Sequence, residues 1–320
     1  MTSLDHPLQR MKQLCVSSIA LGAWLFVSSA IADSSEAPKG HFPLPAEGNM
    51  VGEVYTVKAT EQDTLMDIAR AHNVGYEEIR MANPDTSIWV PGGGTEVTIP
   101  GQFILPDEAR TGIVINVAEL RLYYYPEVES GETPRVETYP IGIGRDAFNT
   151  PLGITETTMR LENPAWYPPE SIRQEAAERG DPAPAVVPPG ADNPLGQYAI
   201  LLDIPGYLIH GTDQPDGIGM RASRGCIRMH PEDIESVFWR VPVGTQVNIV
   251  DTPIKVGWDE GGENYIQAFT ATDEQVFGMD MLLNVVGLIE QHEGDNSTGV
   301  DYEQVREVLE QANGQIVPLT

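Results

Sequence analysis

His210 and Cys226 close the two ends of the stretch "HGTDQPDGIGMRASRGC", with fifteen residues between them, and they are a base and a nucleophile of matched type. A free thiol has a pKa of about 8.5, and an imidazole within hydrogen-bond reach draws off its proton to leave the thiolate, the attacking species in acyl transfer. Gly211, Gly217, Gly219 and Gly225 let the segment fold back tightly, so a histidine at a strand end can meet the cysteine. Glycine before the cysteine also permits close backbone approach. Amide N–H groups around Gly225 and Cys226 can then face the oxygen of a tetrahedral intermediate.

Spacing alone leaves other chemistry open. An inert buried thiol is the plain alternative. His210, Cys226, His230 and Asp213 are all zinc-ligand types, but they lack the short paired spacings that present two ligands from one turn or helix, so no metal is expected, and acyl transfer by a thiol and an imidazole needs no organic cofactor. Ser223 as a hydrolase nucleophile competes with a better one three residues on. Asp213 and Asp216 could orient His210, yet Asp followed by polar residues and Gly is ordinary turn composition.

The first residues decide which cysteine counts. Arg10 and Lys12 precede the apolar run "LCVSSIALGAWLFV", and "AIA" then ends at Ala32, so residues 1–32 read as a secretory signal peptide. The run is shorter than the roughly 20 residues of a spanning helix, and Cys15 precedes it where a lipoprotein cysteine would follow. No membrane span is expected in the mature chain. Cys15 leaves with the signal, and Cys226 is then the sole cysteine of an exported protein, without a partner for an internal disulfide. A lone exported thiol asks for a use. The 320-residue chain carries 47 acidic residues against 19 basic ones, a net charge of −28, which excludes the basic patches that nucleic acid requires and reads as a solvated surface.

The elements that must position the pair follow from pattern. Residues 33–50 are rich in Pro, Gly and small polar residues and read as a linker. In 51–100, "EVYTVKA" alternates as a strand does, "DTLMDIARAHN" places Leu65, Ile68 and Ala69 on one helical face, "YEEIRMANP" reads as a second helix, and "TEVTIP" closes with a strand. Residues 101–110 read as a second linker. Alternation in "GIVINVAELRLYYYP", "YAILLDI", "YLIHG" and "TQVNIVD" makes 111–251 mainly β, interrupted by a proline-rich excursion with a short helix around Ile172–Glu178. Long ordered loops of this kind are usually walls or lids of a site. Residues 252–320 carry helical spacing in "DEQVFGMDMLLNVVGLIEQHE" and "YEQVREVLEQAN" and read as a partly helical C-terminal appendage.

Two resemblances sit on these segments. "YTVKATEQDTLMDIARAHNV", "IRMANP", Trp89, Pro91 and "VTIP" resemble a LysM module, a small βααβ fold of peptidoglycan-associated proteins, with Gln62 where that family commonly has glycine. "IHGT" and "IGMRASRGCIRM", with "YPIGIG", "TPLG", "NPAWYPP" and "NPLGQYAI", resemble the L,D-transpeptidase (YkuD) catalytic domain. The expected architecture is therefore multidomain: an α+β LysM-like module, a mainly-β catalytic domain of sandwich or barrel type, and the appendage.

The second resemblance implies roles position by position. Cys226 is the acyl-accepting nucleophile and His210 its base, oriented by a backbone carbonyl of Gly211 or its neighbour. Ser223 and Gly225 shape the loop, and Arg228 supports substrate or loop by charge-assisted hydrogen bonds. The implied enzyme is a periplasmic cysteine acyltransferase that attacks the L,D bond of a tetrapeptide stem of peptidoglycan and releases D-Ala. Its acceptor is a second stem peptide, an outer-membrane lipoprotein lysine, or water, the last giving a carboxypeptidase. A noncatalytic peptidoglycan-binding protein is the rival from another class.

Overall fold

The computed structural model describes residues 38–145, 149–270, 278–293 and 300–319. The signal-peptide reading at 1–32 lies outside the described residues. Residues 50–104 form a hairpin of β2 (Met50–Lys58) and β3 (Glu96–Ile104), with α1 (Leu65–Ala71) and α2 (Tyr76–Ala82) between them, in the strand–helix–helix–strand order expected. All nine residue pairs from Met50↔Ile104 to Lys58↔Glu96 are in antiparallel register. α1 starts at a reciprocal cap, Thr64 with Asp67, which satisfies two of the amide groups a helix start leaves bare. Leu65, Ile68 and Ala69 turn inward with Val74, Ile79, Val97 and Ile99 to make a small core.

The central sheet is a single mixed one of nine strands. In order these are β1 (His41–Pro43), β6 (Arg135–Pro140), β5 (Arg121–Tyr125), β4 (Gly112–Asn116), β13 (Gln246–Val250), β8 (Gly153–Glu162), β9 (Tyr198–Leu202), β10 (Leu208–His210) and β12 (Ile227–Arg228). The mainly-β expectation for 111–251 holds: most of its strands join this one sheet and two short ones pair separately, an arrangement of the barrel type and not of two packed sheets. Tyr139 on β6 and Ile227 on β12, near opposite ends of the sheet, share one core with Ile234, Val237 and Phe238 of α4 (Pro231–Arg240). The sheet therefore curls around that helix. Its outer face is covered as well: Val114, Tyr123, Tyr125 and Val136 pack on Val51, Phe103 and Leu105. Burial on both faces explains why "RLYYY" is buried at every position, where alternation would leave one side wet.

Both expected linkers are corrected. His41–Pro43, inside 33–50, pairs with β6 as an edge strand, and Leu44 N–H donates to Pro134 O at 2.8 Å. Residues 101–104 continue β3, and Leu105 beyond it is buried in the outer core. The terminal segment is partly helical. It contains the expected helices, α5 (Met279–Glu293) and α6 (Tyr302–Gln311), and also an antiparallel sheet of β14 (Ile254–Trp258), β15 (Asn264–Phe269) and β16 (Asn313–Pro318). Ile254, Ile266, Val285, Ile289, Val305 and Leu309 give this layer its own core.

Buried ion pairs join the pieces. Arg121 of β5, fully buried, is held by Glu78 of α2 at 2.7 Å, donates to Asn73 O at 3.0 Å, and lies 4.0 Å from the centre of the Phe103 ring. Lys255 of β14 reaches Glu119 at 2.6 Å and Ile104 O at 2.7 Å. Charges buried this way are strongly destabilising when one partner is removed.

Candidate active site

His210 ends β10, and Cys226 is the residue before β12. These strands pair in parallel, with Ile209 opposite Ile227 and His210 opposite Arg228. Ile209 and Ile227 are fully buried in the core under α4. Side chains alternate along a strand, so His210 and Arg228 stand together on the opposite face. Cys226, two residues before Arg228, is brought to the same edge.

The loop before Cys226 is held by side-chain hydroxyls. β7 (Ile143–Gly144) pairs in parallel with β11 (Arg221–Ser223). Ser223, 1% exposed, donates to Cys226 O at 2.6 Å and accepts from Gly225 N–H at 3.1 Å. Thr150 donates to Gly225 O at 2.9 Å and accepts from Gly144 N–H at 3.3 Å. Gly225 has φ +102°, which an L side chain adopts with difficulty, so its contribution to the loop is conformational. Its amide, one of those expected to face an oxyanion, is bonded to Ser223 in this structure. The Cys226 amide makes no hydrogen bond among the described residues and is the donor left for that task.

His210 is 3% exposed, and its Nδ1 lies 2.6 Å from Gly211 O. A carbonyl can only accept, so Nδ1 carries the proton and Nε2 keeps a free lone pair. Burial, reinforced by the positive charge of Arg228, pushes the His210 pKa down to about 4, against the pull of the Gly211 bond. Burial pushes the Cys226 thiol up; a backbone hydrogen bond from Leu208 and the charge of Arg228 act the other way. The resting pair is thus neutral imidazole and neutral thiol. In this state Sγ donates to Gly206 O at 3.6 Å, and no hydrogen bond joins it to His210. The fold brings the two residues to one face; the proton path between them requires the thiol to turn from Gly206.

Arg228 influences both groups. Its backbone exchanges hydrogen bonds with Gly142, at 2.8 and 2.9 Å. Its Nε is buried with no hydrogen-bond partner among the described residues, which leaves a charged donor for an incoming acceptor. Asp213, exposed in the turn, lends it a favourable charge. His230 stands apart at the start of α4, and no group of three His, Cys, Asp or Glu side chains among the described residues is placed to hold a metal ion.

Sequence reasoning missed the residues that pin the excursion. Its helix, α3 (Glu170–Glu178), presents Glu175 to Arg224, next to Gly225, and to Arg145 at 3.4 Å. No periodicity links positions 49 residues apart; a run of charge on α3 is all the sequence offers. Thr150 stood inside the quoted "TPLG" without a role. The N-terminal module also reaches the loop: Tyr76 N–H donates to Ile218 O at 3.1 Å, and Glu77 N–H to Gly219 O at 3.3 Å.

Residues 110–249 match the family model described as the L,D-transpeptidase catalytic domain, YkuD. The chain is 44% identical over 230 residues to the probable L,D-transpeptidase ErfK/SrfK of Escherichia coli K12, spanning 71% of this chain and 73% of that one. The chain belongs to the L,D-transpeptidase family. It is a cysteine-dependent acyltransferase by that membership. The probable L,D-transpeptidases YcfS and YbiS of the same organism are 38% and 37% identical, over 91% and 85% of this chain and 91% and 87% of theirs. The NMR structure of the catalytic domain of the Enterococcus faecium L,D-transpeptidase aligns with this transpeptidase at 23% identity and a TM-score of 0.33, over 45% of this chain and 100% of that one.

Proposed function

We propose that Cys226 and His210 carry out L,D-transpeptidation on peptidoglycan in the periplasm. The observation that carries the assignment of roles is the locked tautomer: Gly211 O fixes the proton on Nδ1 and leaves Nε2 as the base on the face that Cys226 shares. As Sγ turns from Gly206 and attacks the carbonyl of the L,D bond, between the diamino acid at position three and D-Ala at position four, Nε2 takes the thiol proton. The Cys226 amide faces the developing oxyanion. The imidazolium returns its proton to the departing nitrogen, D-Ala leaves, and a thioester remains. An amine then attacks the thioester and gives up its proton to Nε2; the C–S bond breaks, the new amide leaves, and the imidazolium returns the proton to Sγ to restore the thiol.

Arg228 supports both ends of this sequence. Its charge favours the thiolate over the buried thiol, and its unpartnered Nε suits an acceptor oxygen of the stem peptide. The reading of residues 1–32 as a secretory signal, from Arg10, Lys12, the apolar run and the small residues ending at Ala32, supports the periplasmic proposal. The acceptor is a second stem peptide or a lipoprotein lysine, and water gives the carboxypeptidase outcome. The LysM-like module is proposed to hold glycan. Its α2 is bonded to the catalytic loop, so it would present glycan in a fixed orientation and not on a flexible tether.

Intact-mass analysis after exposure to a carbapenem tests the nucleophile. One adduct per chain is expected, absent in Cys226→Ala and slowed in His210→Gln. A wild-type thiol that alkylates readily yet forms no adduct and no product would overturn the catalytic reading in favour of a binding protein. Incubation with purified muropeptides resolves the acceptor; hydrolysed tripeptide alone, with amines in excess, would sink the cross-linking version.

A further inference from the structure

A cavity of about 540 Å³ lies where the N-terminal module, the central sheet and the C-terminal layer meet. Its walls come from α2, β3, the turn between β4 and β5, β11, β15 and β16, and neither His210 nor Cys226 lines it. Gln267 enters from β15. It is 5% exposed; its Nε2 donates to Gly314 O at 2.8 Å, while its Oε1 has no hydrogen-bond partner among the described residues. A buried amide oxygen in that condition is unfavourable until a donor reaches it.

Arg221 supplies the charge. Its Nη2 donates to Val117 O at 2.9 Å, and no carboxylate pairs with it among the described residues. The three glutamates of the cavity wall are already engaged: Glu77 by Arg80 at 2.7 Å, Glu78 by Arg121 at 2.7 Å, and Glu119 by Lys255 at 2.6 Å. They neutralise their own partners, and Arg145 of the wall faces Glu175 at 3.4 Å, so that among the described residues Arg221 is the wall cation without a counter-charge. Met81, Leu120 and Phe269 give the cavity an apolar side.

The requirement is therefore an anionic group, an N–H donor close by, and small apolar substituents. We infer that this cavity binds the C-terminal end of a short peptide, its carboxylate on Arg221 and a backbone N–H on Gln267 Oε1. A glycan offers donors for Gln267 but no charge for Arg221, so the peptide is the better fit. The bound peptide would touch Arg221 and Ala222, the residues that lead into Ser223 and hence into the clasp around Cys226. The site is separate from the acyl-transfer centre and does not depend on the roles assigned there.

Calorimetric titration of the full chain carrying Cys226→Ala tests this without thioester formation. The probes are trialanine, trialanine amide and the trimer of N-acetylglucosamine. Saturable one-to-one binding of trialanine is expected, with the amide at least about tenfold weaker because it lacks the charge for Arg221. Arg221→Gln and Gln267→Leu are each expected to weaken trialanine by about tenfold or more. Should Gln267→Leu fold poorly, Gln267→Glu keeps the size and sets a like charge near the carboxylate, with the same loss expected. Equal affinity for acid and amide, undiminished binding in the variants, binding of the sugar trimer alone, or no binding would each overturn the proposal.

Discussion

Replacing Gly219 by alanine tests whether the N-terminal module braces the catalytic loop. Gly219 has φ +83°, and a Cβ there would lie 2.2 Å from Tyr76 N and 2.6 Å from Gly75 Cα, both backbone atoms that cannot swing aside. Gly94 is a matched control, with φ +85° and nothing within 4 Å of its Cβ position. Gly94→Ala therefore carries only the backbone penalty of a left-handed alanine, about 1–2 kcal/mol. Gly219→Ala carries that penalty and an overpacking term of about 1–3 kcal/mol. With about 2–4 °C per kcal/mol for a domain of this size, Gly219→Ala should melt roughly 2–12 °C below Gly94→Ala. Scanning calorimetry reads the difference, and the rate of carbapenem acylation reads its effect on the site. Acylation should slow in Gly219→Ala alone, because the displaced loop carries the chain from His210 to Cys226. Equal melting temperatures and equal acylation rates in the two variants would refute the bracing argument.

The pH dependence has a definite sign. His210 and His230, each pushed down to about 4 chiefly by burial, bind fewer protons folded than unfolded between about pH 4 and 6.5, so they make stability fall as pH drops through that window. Asp233, pushed up to about 7 by burial, acts oppositely in the same range; Asp233→Asn should steepen the acid loss of stability in denaturant titrations, and an unchanged slope would contradict its raised pKa. Ser223→Ala removes the hydroxyl that bonds Cys226 O and Gly225 N–H, and a loss of about 1–3 kcal/mol with slower acylation is expected from unfolding midpoints and adduct kinetics. Glu175→Gln should barely alter global stability, since a half-exposed pair is worth about 0–1 kcal/mol, yet hydrogen exchange should rise across 170–178.

Much of this was legible because the relevant forces are local. The first-module elements followed from the face made by Leu65, Ile68 and Ala69 and from the turn residues between them, and the His210–Cys226 loop from its residue types. What escaped depends on distant partners. β5 has no alternation because both its faces are covered, one by a hairpin more than 60 residues earlier in part. β14 and β15 carry Lys255 and Gln267 inward, which polarity alone assigns to the surface; Lys255 is buried because Glu119 and Ile104 O receive it. His41–Pro43 is too short and too proline-rich to read as a strand until β6 offers it a register. The same limit hid the resting thiol's bond to Gly206, since the sequence names the nucleophile but not the rotamer it keeps.

That three-residue strand has a consequence for handling the protein. β1 occupies one rim of the nine-stranded sheet, and the other rim, β12, is only two residues long. Trimming the chain to begin at Met50 would strip β1 from Arg135, Val136 and Glu137 of β6 and leave the backbone groups on that edge without their partners, a ready template for strands of other molecules. Such a shortened preparation should self-associate as its concentration rises, while the version that retains His41 to Pro43 stays dispersed.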